Sequence, residues 1–264
     1  MSTLEQVTTR ALRILAPNPG PMTLTGTNTW VLREPGDERC VVVDPGPLDA
    51  GHLARVAEHG PVALIVLTHG HVDHSEGAPQ LHELTGAPVI ARDPALCIGA
   101  EPLTDEAVRD VAGLEWLTVL TPGHSSDSVC LLLPADRALL TGDTVLGRGT
   151  TVVAHPDGRL GDYLDSLQRL RDLAGRELDV LLPGHGPVLD APVAVLDFYL
   201  AHRAERLEQV RDAVAAGASD AAQIVQRVYA DVDPVLWPAA ERSVRAQLDY
   251  LGLPAKQGTT SGHR

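Results

Sequence analysis

The sequence predicts a layered α/β sandwich followed by a helical appendage. Short strand-like runs recur between residues 11 and 184, and amphipathic stretches are interspersed among them. After Pro192 the strand-like runs give way to helical patterning. Many strands with helices between them point to packed layers rather than a repeating strand–helix–strand nucleotide-binding unit.

The elements follow in order. ALRILA (11–16), TNTWVL (27–32) and CVVVD (40–44) are strand-like and are separated by the turn segments PNPGP and REPGD. LDAGHLARVAEHG (48–60) has the 3.6-residue spacing of an amphipathic helix that stops at glycine. VALIVLT (62–68) is a continuous apolar run, as expected of a strand buried on both faces. A helix over 75–86 and a strand at APVIAR come next, then strands at 114–120, 128–134 and 137–143. The stretch GDYLDSLQRLRDLAG puts Leu164, Leu167, Leu170 and Leu173 on roughly one helical face, and LDVLLPG (178–184) is a further strand. Helices are expected at 192–216, 220–230 and 236–251, the second capped by Ser219. The chain therefore divides into residues 1–194 and a helical module over 195–264, whose last residues, 254–264, read as a frayed end.

Bulk properties restrict the function. The net charge of −14 opposes wrapping of nucleic acid by bulk electrostatics. Residues 201–264 carry eight Lys+Arg and eight Asp+Glu, so the acidic excess lies in residues 1–200. The apolar runs are too short to span a bilayer, and MSTLEQVTTR shows no secretory pattern. Three scattered cysteines, Cys40, Cys97 and Cys130, suit a reducing cytoplasm better than a disulfide framework. A small-molecule substrate is expected, no membrane is, and self-association is left open.

The chemistry concentrates at THGHVDHSEG (68–77), where His69, His71, Asp73 and His74 fall within six positions. In extended chain, residues two apart point the same way, so His69 and His71 can reach one ion. Asp73 and His74, where a helix begins, are offset towards a second position. Imidazole and carboxylate suit Zn²⁺, with Mn or Fe as alternatives, and the lack of cysteine there argues against a structural zinc site. Four such residues cannot close two metal shells. His124 in TPGHSSDS, Asp143 in LLTGDT and His185 in LLPGHGP supply more, each beside a strand end. Asp44, ending VVVDPG, is a candidate acceptor to orient a ligand histidine, with a simple turn role as the alternative. Tyr163 is a candidate to face a substrate. His52, His59, His82, His202 and His263 are read as surface residues.

HGHVDH, then GH at 123–124, GD at 142–143 and GHG at 184–186 resemble the metallo-β-lactamase fold superfamily. The resemblance implies a four-layer αββα sandwich with metals at one edge. It implies one ion held by His69, His71 and His124, another by Asp73, His74 and His185, and Asp143 between them. NPGPMTLTGTNTWVL (18–32) and IVQRVYADVDPVLWPAAERSVRAQLDYL are similar to the family of β-lactamase-like protein 2. That family adds a winged-helix-like module, and its animal member is similar to a single-strand-specific endoribonuclease. It also places Thr27 and Asn28 near the site mouth.

The expected activity is hydrolysis of a small ester, thioester or lactone by hydroxide held between two divalent ions. Asp73 would orient that hydroxide or shuttle its proton. Cleavage of single-stranded RNA by the same metals is the alternative. An iron dioxygenase and a non-catalytic binding module are further readings, and two complete ligand sets weigh against both.

Overall fold

The computed structural model describes residues 4–253. Among the described residues, eleven strands form two sheets. In the first, β1 (Leu4–Gln6), β2 (Ala11–Leu15), β3 (Asn28–Leu32), β4 (Cys40–Val43), β5 (Val62–Val66) and β6 (Val89–Ile90) lie in chain order. The second runs β11 (Val180–Pro183), β10 (Ala138–Gly142), β9 (Val129–Leu133), β8 (Leu114–Leu120) and β7 (Val108–Val111).

Period-two alternation explains why so many strands read as continuous apolar runs. Trp30, Val41, Val43, Leu64 and Val66 of the first sheet meet Trp116, Leu131, Leu140 and Leu182 of the second in the central core. The intervening residues face outward but are buried all the same. Val31, Val42 and Ile65 pack under α1 (Ala50–Ala57) and α3 (Ala78–Thr85). Cys130, Leu132, Leu139 and Leu181 pack under α4 (Leu160–Glu177) and the start of α5 (Pro192–Ala215). Helix, sheet, sheet and helix are thus the four layers expected.

Two parallel strand pairs bring the functional loops to one edge. β4 and β5 are parallel, as are β10 and β11. Parallel pairing aligns strand C-termini, so the loops after β4, β5, β10 and β11 open on the same side. Asp44, His69, Asp143 and His185 stand at or just beyond those ends. The Trp30 indole donates to the Pro183 carbonyl (3.3 Å), and Asn28 N donates to Gly184 O (2.8 Å), tying the two sheets together beside His185.

Local details differ from the sequence expectation. The helix expected over 75–86 begins only at Ala78, as α3, and the short turn before it, α2 (Val72–Ser75), does not run on into it. The loop after β4 intervenes, because Gly46 N donates to His74 O and Gly77 N donates to Gly46 O. Strands β1 and β7 carry too few buried residues to show a pattern. The cap of α6 (Ala221–Val228) is Asp220, whose carboxylate accepts from Gln223 N at 2.9 Å, rather than Ser219. His52 is not a surface residue; it is fully buried against Thr29 (2.9 Å).

Helix α5 belongs to two cores. Leu196, Tyr199 and Leu207 pack on the α4 layer, while Val210 and Ala213 pack with α6 and α7 (Trp237–Leu251). Among the described residues no strand follows β11. Residues 254–264, expected to fray, lie outside the described residues, as does His263.

Candidate metal centre

The loop after β5 turns sharply into α2, and this turn separates the ligands of the HxHxDH run. His69 Nε2 and His124 Nε2 each lie 3.0 Å from His71 Nδ1. His74 Nε2 lies 3.1 Å from His185 Nε2, which is 3.1 Å from Asp73 Oδ2. Asp143 stands between the two groups. Its Oδ1 is 3.4 Å from His74 Nε2 and 3.5 Å from His185 Nε2, and its Oδ2 is 3.8 Å from His124 Nε2. Three overlapping sets could each hold an ion: His69–His71–His124, His69–His74–Asp143 and Asp73–His74–His185.

Hydrogen bonds behind the imidazoles fix which nitrogen faces inward. His124 Nδ1 donates to the Val152 carbonyl (2.8 Å) and His185 Nδ1 to the Gly26 carbonyl (3.2 Å). His74 Nδ1 donates to Asp44 Oδ2 (2.9 Å). Thr68 Oγ1 donates to the same oxygen (2.7 Å) and so accepts from His69 Nδ1 (3.1 Å). In neutral rings each inward nitrogen is then a bare lone pair. Lone pairs about 3 Å apart repel unless a cation sits among them, so the donor set fits a metal. Asp143 Oδ1 agrees, being buried without a hydrogen bond.

Charge divides the cluster. Burial, with neighbouring imidazoles, holds His69 well below the usual histidine range, and burial pushes His124 down. Burial acts the same way on His74 and His185. There the Asp143 carboxylate overrides it, with Asp44 beside His74 and Asp73 beside His185. His74 is held well above the usual range and His185 at about 9.

Two glycines allow the close approach. A side chain at Gly184 would place its Cβ 2.7 Å from Asp143 Oδ1 and from His74 Cε1. Gly142 has φ +48°, and a Cβ there would meet Thr68 Oγ1 at 2.6 Å.

The geometry therefore brings His69, His71, Asp73, His74, His124, Asp143 and His185 together, with Asp44 directly behind. It does not place the other candidates at a substrate surface. Tyr163 is fully buried, its hydroxyl donating to Thr144 O (2.7 Å). Thr27 is buried and donates to the Asp73 carbonyl (3.0 Å). Asn28 is buried and donates to Pro183 O and Gly186 O, both at 2.9 Å. All three shape the loops that carry ligands. Thr68 was the missed residue, although it directly precedes His69 at the strand end. The carbonyls of Gly26 and Val152 have no side-chain signature to read.

On one flank of the centre lies a cavity of about 310 Å³. His124 and Asp143 form its inner end, Met22 and Leu24 one wall, and Tyr229 and Leu236 of the C-terminal module another. On the other flank a polar groove opens between His71, Arg92, Ser126 and Asp157.

Residues 22–185 match the model of the metallo-β-lactamase superfamily. The chain belongs to that superfamily. As a metallo-β-lactamase superfamily member it is a metal-dependent hydrolase with a His/Asp cluster suited to binding metal. Residues 221–252 match the β-lactamase-associated winged helix domain. The β-lactamase-like protein 2 homologue of Drosophila melanogaster is 30% identical over 274 residues, covering 95% of this chain and 90% of that protein. An atrochrysone carboxyl ACP thioesterase of Aspergillus fumigatus is 39% identical over 193 residues; the match covers 69% of this chain and 57% of the thioesterase. A metallo-β-lactamase family protein of Thermus thermophilus superposes with a TM-score of 0.76 at 22% identity, covering 91% of this chain and 92% of that one. Among the described residues of this superfamily member, no helix is long and apolar enough to cross a membrane.

Proposed function

We propose that this metallo-β-lactamase domain is a dinuclear hydrolase of a small ester, thioester or lactone. The observation that carries the reading is Asp143, whose carboxylate lies within 3.8 Å of histidines from both ligand sets and leaves one buried oxygen without a partner. In this reading His69, His71 and His124 would hold one divalent ion, Asp73, His74 and His185 would hold the other, and Asp143 would serve both. Zinc suits this donor set, with Mn or Fe as alternatives. Ions held there would lower the pKa of a shared water towards neutrality and polarise a scissile carbonyl.

The chain's own residues do the rest. Asp44 orients His74 directly and His69 through Thr68, which keeps both Nε2 lone pairs aimed inward. Asp73 is the carboxylate placed to manage a proton. Of the three carboxylates at the cluster its side chain is the most exposed, and its Oδ2 lies 3.1 Å from His185 Nε2, at the side from which a water would approach. The apolar cavity under the C-terminal helices receives the acyl body, and the polar groove beside His71 receives the leaving group. The thioesterase named among the relatives favours an acyl substrate. We divide the chain functionally into a hydrolase domain, residues 1–194, and a helical module, 195–264, that walls this cavity. A cytoplasmic setting accords with three unpaired cysteines. Single-stranded RNA cleavage is the competing activity: the winged-helix match favours it and the net charge of −14 opposes it.

The test is to purify the protein without chelator, quantify metal per chain, and assay ester, thioester and lactone panels beside fluorogenic single-stranded RNA. His69→Ala and Asp143→Ala serve as controls. About two metals per chain and acyl hydrolysis lost in both variants is the expected result. Metal-dependent RNA cleavage without acyl turnover would replace this reading with the nuclease.

A further inference from the structure

A guanidinium stays charged at any physiological pH, and removing one from water is costly unless an opposite charge compensates. Arg203, on α5, is only 4% exposed, yet its partners are all neutral. Its Nη2 donates to the Thr151 carbonyl, its plane lies over the Tyr163 ring (5.0 Å to the centroid), and its Nε is buried without a hydrogen bond. Arg206, one turn along α5, likewise donates to Gln209 Oε1 (2.8 Å) and Val228 O (2.7 Å) and stacks over Tyr229 (4.7 Å). Arg148, in the loop after β10, is exposed and makes no ion pair among the described residues.

These three arginines belong to the wall of one cavity, the one that ends at His124 and Asp143. His202 lies there too, and burial together with the Arg203 and Arg206 charges holds it down at about 4, so it is neutral at pH 7. Among the described residues Asp143, committed to the metal edge, is the only carboxylate in that wall. Three unpaired cations thus share one cavity in a protein whose net charge is −14. The rest of the wall is largely apolar, with Met22, Leu24, Leu146 and Leu236 among its side chains.

We infer that this cavity selects an acyl group with an apolar body and an anionic far end, a carboxylate or a phosphate, held by Arg148, Arg203 and Arg206. The inference rests on the hydrolase reading for what happens at the near end, and on the cavity alone for recognition of the far end. An anion among these arginines forms charge-assisted hydrogen bonds and compensates the buried Arg203. The volume of about 310 Å³ is that of a small-ligand site. An RNA strand would need positive charge at successive phosphates along a groove, whereas these arginines are gathered in one cavity.

The test uses the metal-loaded protein and matched six-carbon ligands. Calorimetry compares adipate and 6-phosphonohexanoate with hexanoate, which offer the same near-end carboxylate and differ only at the far end. Turnover compares adipoyl and hexanoyl thioesters of one thiol. The anionic far end should improve both affinity and kcat/KM by about tenfold or more. The better of the two dianions identifies the anion. In Arg148→Gln and Arg206→Gln that preference should shrink towards unity; Arg203→Met should do the same if it folds, and the first two do not depend on it. Equal handling of the matched ligands, or a preference that survives both substitutions, overturns the inference and leaves the hydrolase reading standing. Tighter dianion binding that depends on the arginines, without turnover of either thioester, upholds the inference and counts against the hydrolase reading.

Discussion

The two halves of the metal centre are built on different physics. In the set of His69, His71 and His124, burial holds His69 and His124 uncharged, which makes this the neutral half, and His71 is exposed at the rim. His74 and His185 sit among Asp44, Asp73 and Asp143 and are largely shielded from solvent. The first half offers lone pairs to an ion, while the second offers negative charge that demands one. His52 is a useful contrast: a fully buried imidazole, it is pushed down to about 4 by burial and by Arg55, which outweigh the opposing pull of Asp49. Burial silences a histidine unless carboxylates close to the ring outweigh it, as they do at His74 and His185.

The strongest way to break this comparison is Asp143→Ala, which removes the group both halves share. Hydrolysis should fall by roughly a thousandfold or more, as expected when several kcal/mol of metal-borne stabilisation is lost. Metal per chain should drop as well. Full activity with an unchanged metal count would rule out the bridging role proposed for Asp143.

His52 sharpens the comparison from outside. Its folded pKa lies below the unfolded value, so the unfolded chain binds the extra proton as pH falls from about 6.5 towards 4. Stability from this group is complete above about pH 6.5 and is lost below it, by roughly 3 kcal/mol once pH passes 4. Urea denaturation of metal-free wild type and His52→Gln across that range should show a flatter pH dependence in the variant. Parallel curves would mean that His52 is already protonated when folded.

Asp44→Asn separates orientation from charge. Because Asp44 backs His74 directly and His69 through Thr68, affinity should weaken for both ions by about 10- to 100-fold. Competition with a chelator would measure this, and loss at a single site would show that the Thr68 relay carries nothing. Thr68→Val is the mildest change. It cuts the relay to His69 and leaves the Asp44–His74 bond, so a loss below about tenfold is expected, confined to the neutral half. An equal loss at both sites would mean that Thr68 acts on the whole loop rather than on one imidazole.

Much of this centre was legible in the sequence. HxHxDH, GH, GD and GHG carry distinctive residue types at strand ends, and each of the seven ligand candidates lies in the cluster. For Asp44 the sequence left an acceptor role and a turn role open, and the structure shows its carboxylate accepting from His74 and Thr68. Tyr163, Thr27 and Asn28 were misread because a polar side chain near a site in sequence can satisfy a loop carbonyl instead of facing a ligand, and only packing distinguishes the two. The apolar spacing over 75–86 is continuous, whereas the contacts that delay the helix to Ala78 come from Gly46, far away in the chain.

The sequence by itself determined a layered α/β sandwich and the candidate ligand types at its strand ends, while the two-sheet arrangement and the edge came from the resemblance to the metallo-β-lactamase superfamily. Hydrophobic periodicity and chemistry-bearing residues at strand ends are local properties, written within a few positions of one another. Only the tertiary structure decided which lone pairs face inward, which histidines have carboxylates against them, and that Arg148, Arg203 and Arg206 share a cavity. Those features depend on contacts between residues far apart in the chain, where burial and the placement of a single opposite charge set the energy.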